Sequence, residues 1–122
     1  MVMVKKMDYR KLAKAAAVAA DDKKGEDILI LDVRKESDIT DYIMIVGASS
    51  SAQMGALEKS IEESLLDLGT RVLHREGRPR GRRWIALDFG GLVAHILLTE
   101  ARDFYRLENL WENAKTVKWV AK

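Results

Sequence analysis

Residues 82–99 read RRWIALDFGGLVAHILLT, and the way this stretch pairs with itself decides the sheet. Two apolar-rich runs flank Gly90-Gly91. A glycine pair supplies the positive φ angles that a tight hairpin turn needs, so it predicts two antiparallel strands, 82–89 and 92–99, in fixed register. Phe89 then faces Leu92, Asp88 faces Val93, Leu87 faces Ala94, Ala86 faces His95, Ile85 faces Ile96 and Trp84 faces Leu97. Successive side chains point to opposite faces of a strand. One face therefore collects Ile85, Leu87, Phe89, Leu92, Ala94, Ile96 and Leu98, all apolar, and must pack on helices. The other collects Trp84, Ala86, Asp88, Val93, His95 and Leu97, a mixture unsuited to a sealed core. His95 lies diagonally across from both Trp84 and Asp88, within reach of either. Aromatic anchors among polar groups are what a partner-binding patch carries. The plainer reading of the same residues is a half-exposed sheet face with His95 held by Asp88.

Working outward, EDILILDV (26–33) and DYIMIVGA (41–48) are short unbroken apolar runs, which suit strands buried on both faces. RVLHRE (71–76) reads as a further strand, and GRPRG as its turn. The first helix begins at Asp8 as cap, with Tyr9, Leu12, Ala13, Ala16 and Ala20 at helical spacing, and stops at Lys23-Lys24-Gly25. The clearest helix follows Ser50. Ser50 and Gln53 have capping-box spacing, Met54, Leu57, Ile61, Leu65 and Leu68 form its apolar stripe, and Gly69 ends it. Glu58, Lys59, Glu62 and Glu63 read as its solvated side. Residues 100–114 predict a helix or two short ones, with Ala101, Phe104, Leu107, Leu110 and Trp111 on one side and Tyr105 and Glu108 pointing elsewhere. TVKWVAK (116–122) is a short strand or a frayed tail. The order α-β-β-α-β-β-β-α predicts an α/β, α+β-like fold: one mixed sheet flanked by helices, in a single domain over 1–122, with its core in 8–114 and a tail at 115–122.

Composition narrows the function. A chain of 122 residues makes one domain, and such a domain buries about two-thirds of the surface it exposes when unfolded. It contains no cysteine, which excludes disulfides, thiolate chemistry and cysteine-ligated zinc. No apolar run approaches the ~20 residues that span a bilayer, and Lys14 interrupts the amino-terminal apolar stretch, so a helix is expected there rather than a targeting signal. That fits a cytoplasmic protein. The net charge is only +2, yet residues 71–83 hold six arginines against one glutamate. An RNA contact through Arg78, Arg80, Arg82 and Arg83 is the alternative function, an RNA-binding module acting through the turn 75–83. The turn lacks interleaved aromatics for base stacking.

Chemistry finds little support. VGASSSA (46–52) superficially resembles a phosphate cradle, but no Asp-x-Asp or Asp-x-Glu follows it to hold metal ions. A serine cap explains the segment better. A metal at His74, His95 and Asp88 would need all three to converge, and the G-x-S-x-G nucleophile elbow is absent. No enzyme activity, cofactor or metal is expected.

Four stretches carry a resemblance: TDYIMIVGASSSAQ (40–53), HREG (74–77) with Trp84 eight residues after Glu76, LDFGGLVAHIL (87–97) and EARDFYRLENLW (100–111). In this order and spacing they resemble the ribosomal silencing factor family, also called Iojap, over about residues 8–114. The resemblance implies a nucleotidyltransferase-like core and binding to the large ribosomal subunit through its fourteenth ribosomal protein. The bound protein would block joining of the small subunit and damp translation under nutrient limitation. The bacterial, cytoplasmic case is expected, since no transit-type extension precedes the first helix, and relatives often pair, which leaves a homodimer open. The family's motif positions fall here on Asp41, Tyr42, Ser49, Ser51, Gln53, Arg75, Glu76, Gly77, Trp84, Asp88, Gly90 or Gly91, His95, Phe104, Tyr105, Leu107, Glu108 and Trp111. The partner-binding set expected from hairpin and resemblance together is Trp84, Asp88, His95, Asp41, Tyr42, Arg75, Glu76, Tyr105 and Glu108. The chain departs from the pattern at Phe89, where the family often has tyrosine, at Gly90-Gly91, where it often has one glycine and an acidic residue, and in its surplus of arginines.

Overall fold

The computed structural model describes residues 7–77 and 83–120, apart from the side chain of Phe104. Arg78, Arg80 and Arg82 therefore lie outside the described residues. The elements are α1 (Tyr9–Asp22), β1 (Glu26–Asp32), β2 (Tyr42–Ala48), α2 (Ser51–Asp67), β3 (His74–Glu76), β4 (Trp84–Asp88), β5 (Leu92–Leu98), α3 (Thr99–Tyr105), a 3-10 turn (Leu107–Trp111) and β6 (Lys115–Thr116). They build one mixed sheet in the order β3-β4-β5-β2-β1-β6. β2 and β5 run parallel and the other neighbours antiparallel. The fold class read from the sequence is the fold observed.

The hairpin has the expected register, from Trp84 opposite Leu97 to Asp88 opposite Val93. The Phe89 N–H donates to the Leu92 carbonyl at 2.8 Å, and Gly90 takes φ +100°, which glycine adopts without a Cβ penalty. Its apolar face packs beneath α1 and α2, where Ile85, Leu87, Phe89, Leu92, Ala94 and Ile96 join one buried cluster with Met44, Val46, Leu57 and Ile61. Five buried alanines in α1 let that helix lie close against its neighbours. On the opposite face, α3 and the 3-10 turn cover only part of the sheet. Leu31, Val33, Ile43, Ile45, Leu97, Ala101 and Leu107 form a second, smaller cluster there.

Several local expectations change. β2 is buried at all seven positions, but β1 is not, since Ile28 and Leu29 are only half-buried. β1 bulges between Glu26 and Leu29, and its outer neighbour β6 is two residues long. The capping box is half formed. The Ser50 hydroxyl accepts the Gln53 N–H at 3.1 Å, but the Gln53 carbonyl oxygen accepts from the N–H and hydroxyl of Ser49 instead of from Ser50. The Gln53 amide then donates to the carbonyls of Lys23 and Lys24, tying the start of α2 to the end of α1. Leu68 is exposed at the end of α2 rather than in its stripe. Leu110 is also exposed, not on an apolar side with Leu107. Arg106 takes a left-handed conformation, φ 46°, which ends α3 and breaks the helical spacing before Leu110. Beyond β6, Val117 is buried and Trp119 packs on the main cluster.

Candidate partner-binding site

The partial cover leaves a strip of sheet, β3, β4 and the part of β5 nearest the glycine turn, without a helix over it. Trp84, Ala86, Asp88, Val93 and His95 stand on this strip half-buried, and Leu97 alone is sealed. His74 pairs with Asp88 and Glu76 with Ala86 in the β3–β4 register, so both β3 side chains extend the same face. His74 Nε2 lies 2.6 Å from Glu76 Oε1.

Trp84 stands at the end of the strip nearest α3, opposite Leu97 and packed on the smaller cluster. Its indole Nε1–H donates to His95 Nδ1 at 3.0 Å, with the rings edge-on at 5.8 Å. Tyr105, half-exposed at the end of α3, lies tilted against the indole at 5.1 Å between ring centres. Asp88 does not hold His95. Its Oδ1 accepts the Gly90 N–H at 2.8 Å, so this carboxylate braces the hairpin turn.

Of the expected partner-binding residues, the fold brings Trp84, Asp88, His95, Glu76 and Tyr105 together. Tyr42 is buried in the main core with the Arg34 guanidinium over its ring at 5.5 Å, because β2 is the central strand and turns this residue towards α1 and α2. Arg75 pairs with Leu87 in register and so points to the helical face. There it bridges to Glu58 at 3.2 Å and to Glu62 on α2. Two residues read as part of a solvated helix side thus clamp the edge strand, and Glu58 is buried. Burial raises its carboxyl above the ordinary value, against the pull of Arg75. Asp41 is exposed before β2, with its N–H donating to the Gly91 carbonyl. Glu108 is half-buried and faces Arg102 at 3.9 Å. Arg83 borders the strip, 4.0 Å from Glu100.

Arg102 is a residue the sequence reading passed over. Buried in the last turn of α3, it donates to the carbonyls of Glu26 and Asp27, the backbone oxygens of the β1 bulge. Its signal in the sequence is slight: an arginine next to Ala101 in a short helix. It anchors the short α3 that carries Tyr105. Among the described residues, no three His, Asp or Glu side chains converge as metal ligands, and no helix is long and apolar enough to cross a membrane.

The indole–imidazole bond requires a lone pair on His95 Nδ1, so the proton sits on Nε2 and the ring is neutral. Burial pushes the His95 pKa down from 6.5 to about 4. The unfolded chain takes up a proton below about 6.5 while the folded chain refuses it until about 4. This contribution to stability is therefore whole above pH 6.5 and is lost as pH falls towards 4. The expected loss is about 3 kcal/mol across that window. Denaturant titrations at a series of pH values should show this slope, and His95→Gln should flatten it. An unchanged slope in the variant would assign the acid sensitivity to other groups.

The model of the family described as ribosomal silencing factor during starvation matches residues 6–121. The ribosomal silencing factor of Bacillus subtilis is 36% identical over 108 residues, which cover 88% of this chain and 91% of that protein. A crystal structure of a Chromobacterium violaceum protein superposes with a TM-score of 0.82 at 30% identity, over 94% of this chain and 95% of that one. A mouse protein named mitochondrial assembly of ribosomal large subunit protein 1 is 32% identical over 88 residues, which make up 70% of this chain and 38% of that protein.

Proposed function

The chain belongs to the ribosomal silencing factor family, and from that premise we propose that it represses translation by docking on the large ribosomal subunit through its fourteenth ribosomal protein. There it stands where the small subunit would join. The observation that carries this reading is the strip left open by α3, with Trp84 part-exposed at its α3 end and Tyr105 beside it. Large amphipathic rings, part-exposed and already braced, supply contact area at low entropic cost. Carboxylates on the strip, Asp88 and Glu76, favour a basic partner such as a ribosomal protein. The mouse relative's name supports the large subunit as the partner. The mechanism is occlusion: a domain of this size occupies a contact that joining needs, and no bond is made or broken. The alternative, RNA binding led by the arginine turn, has its support in the charge of residues 71–83.

One experiment separates these readings. The protein is incubated with purified large subunits, small subunits are added, and the mixture is sedimented. The protein is expected with the large subunit, and joined ribosomes are expected to fall. Full occupancy with undiminished joining would defeat the occlusion mechanism. Serine at Arg78, Arg80, Arg82 and Arg83 should weaken binding in part and lessen its salt dependence. Complete loss of binding in that variant would favour the RNA reading.

A further inference from the structure

We propose that His95 is a positioning residue for Trp84, acting through the indole rather than by touching the partner. This rests on the docking reading above. The two side chains are diagonal neighbours on adjacent strands, Trp84 opposite Leu97 and His95 opposite Ala86. Ala86 is the residue between Trp84 and Asp88 on that face, and its small side chain leaves the indole room to lean across towards β5. The lean is fixed at both ends, by the 3.0 Å bond from indole Nε1–H to His95 Nδ1 and by the Tyr105 ring at 5.1 Å. An unbraced tryptophan on a sheet surface samples several rotamers and loses that freedom on binding; one already held loses less.

The arrangement also sets what the indole offers. Its only polar hydrogen is taken up by His95 on the same face, so the surface it presents is apolar ring. A partner pocket that accepts this side chain would need aliphatic walls and no hydrogen-bond acceptor for the indole. The groups around His95 are suited to keep it a neutral acceptor. Ile45 stands beside it on β2 and Val93 precedes it on the same face of β5. Asp88 is bonded to the Gly90 N–H, and His74 and Glu76 on β3 pair with each other.

The test reads the indole and the affinity together. The Trp84 Nε1–H resonance is assigned by its loss in Trp84→Phe. In the native chain this proton is expected to exchange slowly with solvent. Exchange at the rate of a free indole would overturn the proposal without any variant. His95→Phe keeps a ring and removes the acceptor, and is expected to shift the resonance and weaken large-subunit binding about tenfold. His95→Gln offers a side-chain carbonyl and should recover most of both. Native affinity in His95→Phe, with the indole signal moved, would overturn the positioning role and leave the docking surface standing. Native affinity in Trp84→Ala would instead defeat the docking surface itself.

Discussion

Alanine at Trp84 is expected to weaken association with isolated large subunits by about 30-fold or more, the effect of losing an aromatic anchor worth about 2 kcal/mol. The expectation comes from where the side chain sits. It is held by His95 on one side and Tyr105 on the other, and part of it remains exposed. A partner that covers it would complete a burial the fold has already begun. Truncation removes that contact and also loosens Tyr105. Because Trp84 packs on the smaller apolar cluster as well, the variant should lose some stability. Thermal melts must therefore accompany the sedimentation. Tyr105→Ala is the gentler companion, since that ring is half-exposed, and it should cost less than Trp84→Ala in both assays. A folded Trp84→Ala chain that co-sediments like the native one would remove the indole from the interface.

The largest expected loss of stability from a small change is at Gly77, where alanine should cost about 3 kcal/mol. Gly77 has φ +94°, and a Cβ there would lie 2.5 Å from the Trp84 carbonyl oxygen and 3.1 Å from the Ile85 Cα. Both obstacles are backbone of β4, so no side chain can swing aside. Left-handed strain accounts for about 1–2 kcal/mol and the forced separation of β3 from β4 for the rest. A melting temperature lower by about 10 °C is expected for a domain of this size. Docking should fall too, because the displaced atoms belong to Trp84. Gly55→Ala provides the contrast. Nothing lies within 4 Å of a Cβ at Gly55 in α2, so alanine there should stabilise by about 0.5–1 kcal/mol. Equal melting temperatures for native and Gly77→Ala chains would show that the strand edge yields more easily than this geometry allows.

Both predictions meet at Trp84, yet they were not equally visible beforehand. Trp84 stood out in the hairpin alternation, and its diagonal relation to His95 followed from the register alone. The same reasoning gave Asp88 equal standing as a neighbour of His95. Strands twist, so the two diagonals across a pair are not equivalent, and Asp88 was already engaged by the turn it precedes. Arg75 and Glu76 belong to one expected partner-binding set. They are consecutive in a strand and so must point to opposite faces; only the pairing of Glu76 with Ala86 tells which face each takes. Glu58 and Glu62 looked solvated because helical spacing says nothing about an arginine arriving from a strand end. Tyr42 lay in a run too apolar for periodicity to distinguish one face from the other.

The amino-acid sequence by itself determined the hairpin, its register, the helices and their order, because turns, caps and apolar periodicity act between residues close along the chain. It also held the four motifs on which family membership was first read. The tertiary structure decided how far α3 extends over the sheet, and therefore which part of the mixed face stays open. It also decided which acid meets Arg75 and which neighbour takes the nitrogen of His95. Those outcomes depend on a left-handed residue at Arg106, on a buried arginine reaching back across the chain to the first strand, and on strand twist. Each is a competition between distant groups for the same space or the same hydrogen bond, and local pattern carries no record of which one prevails.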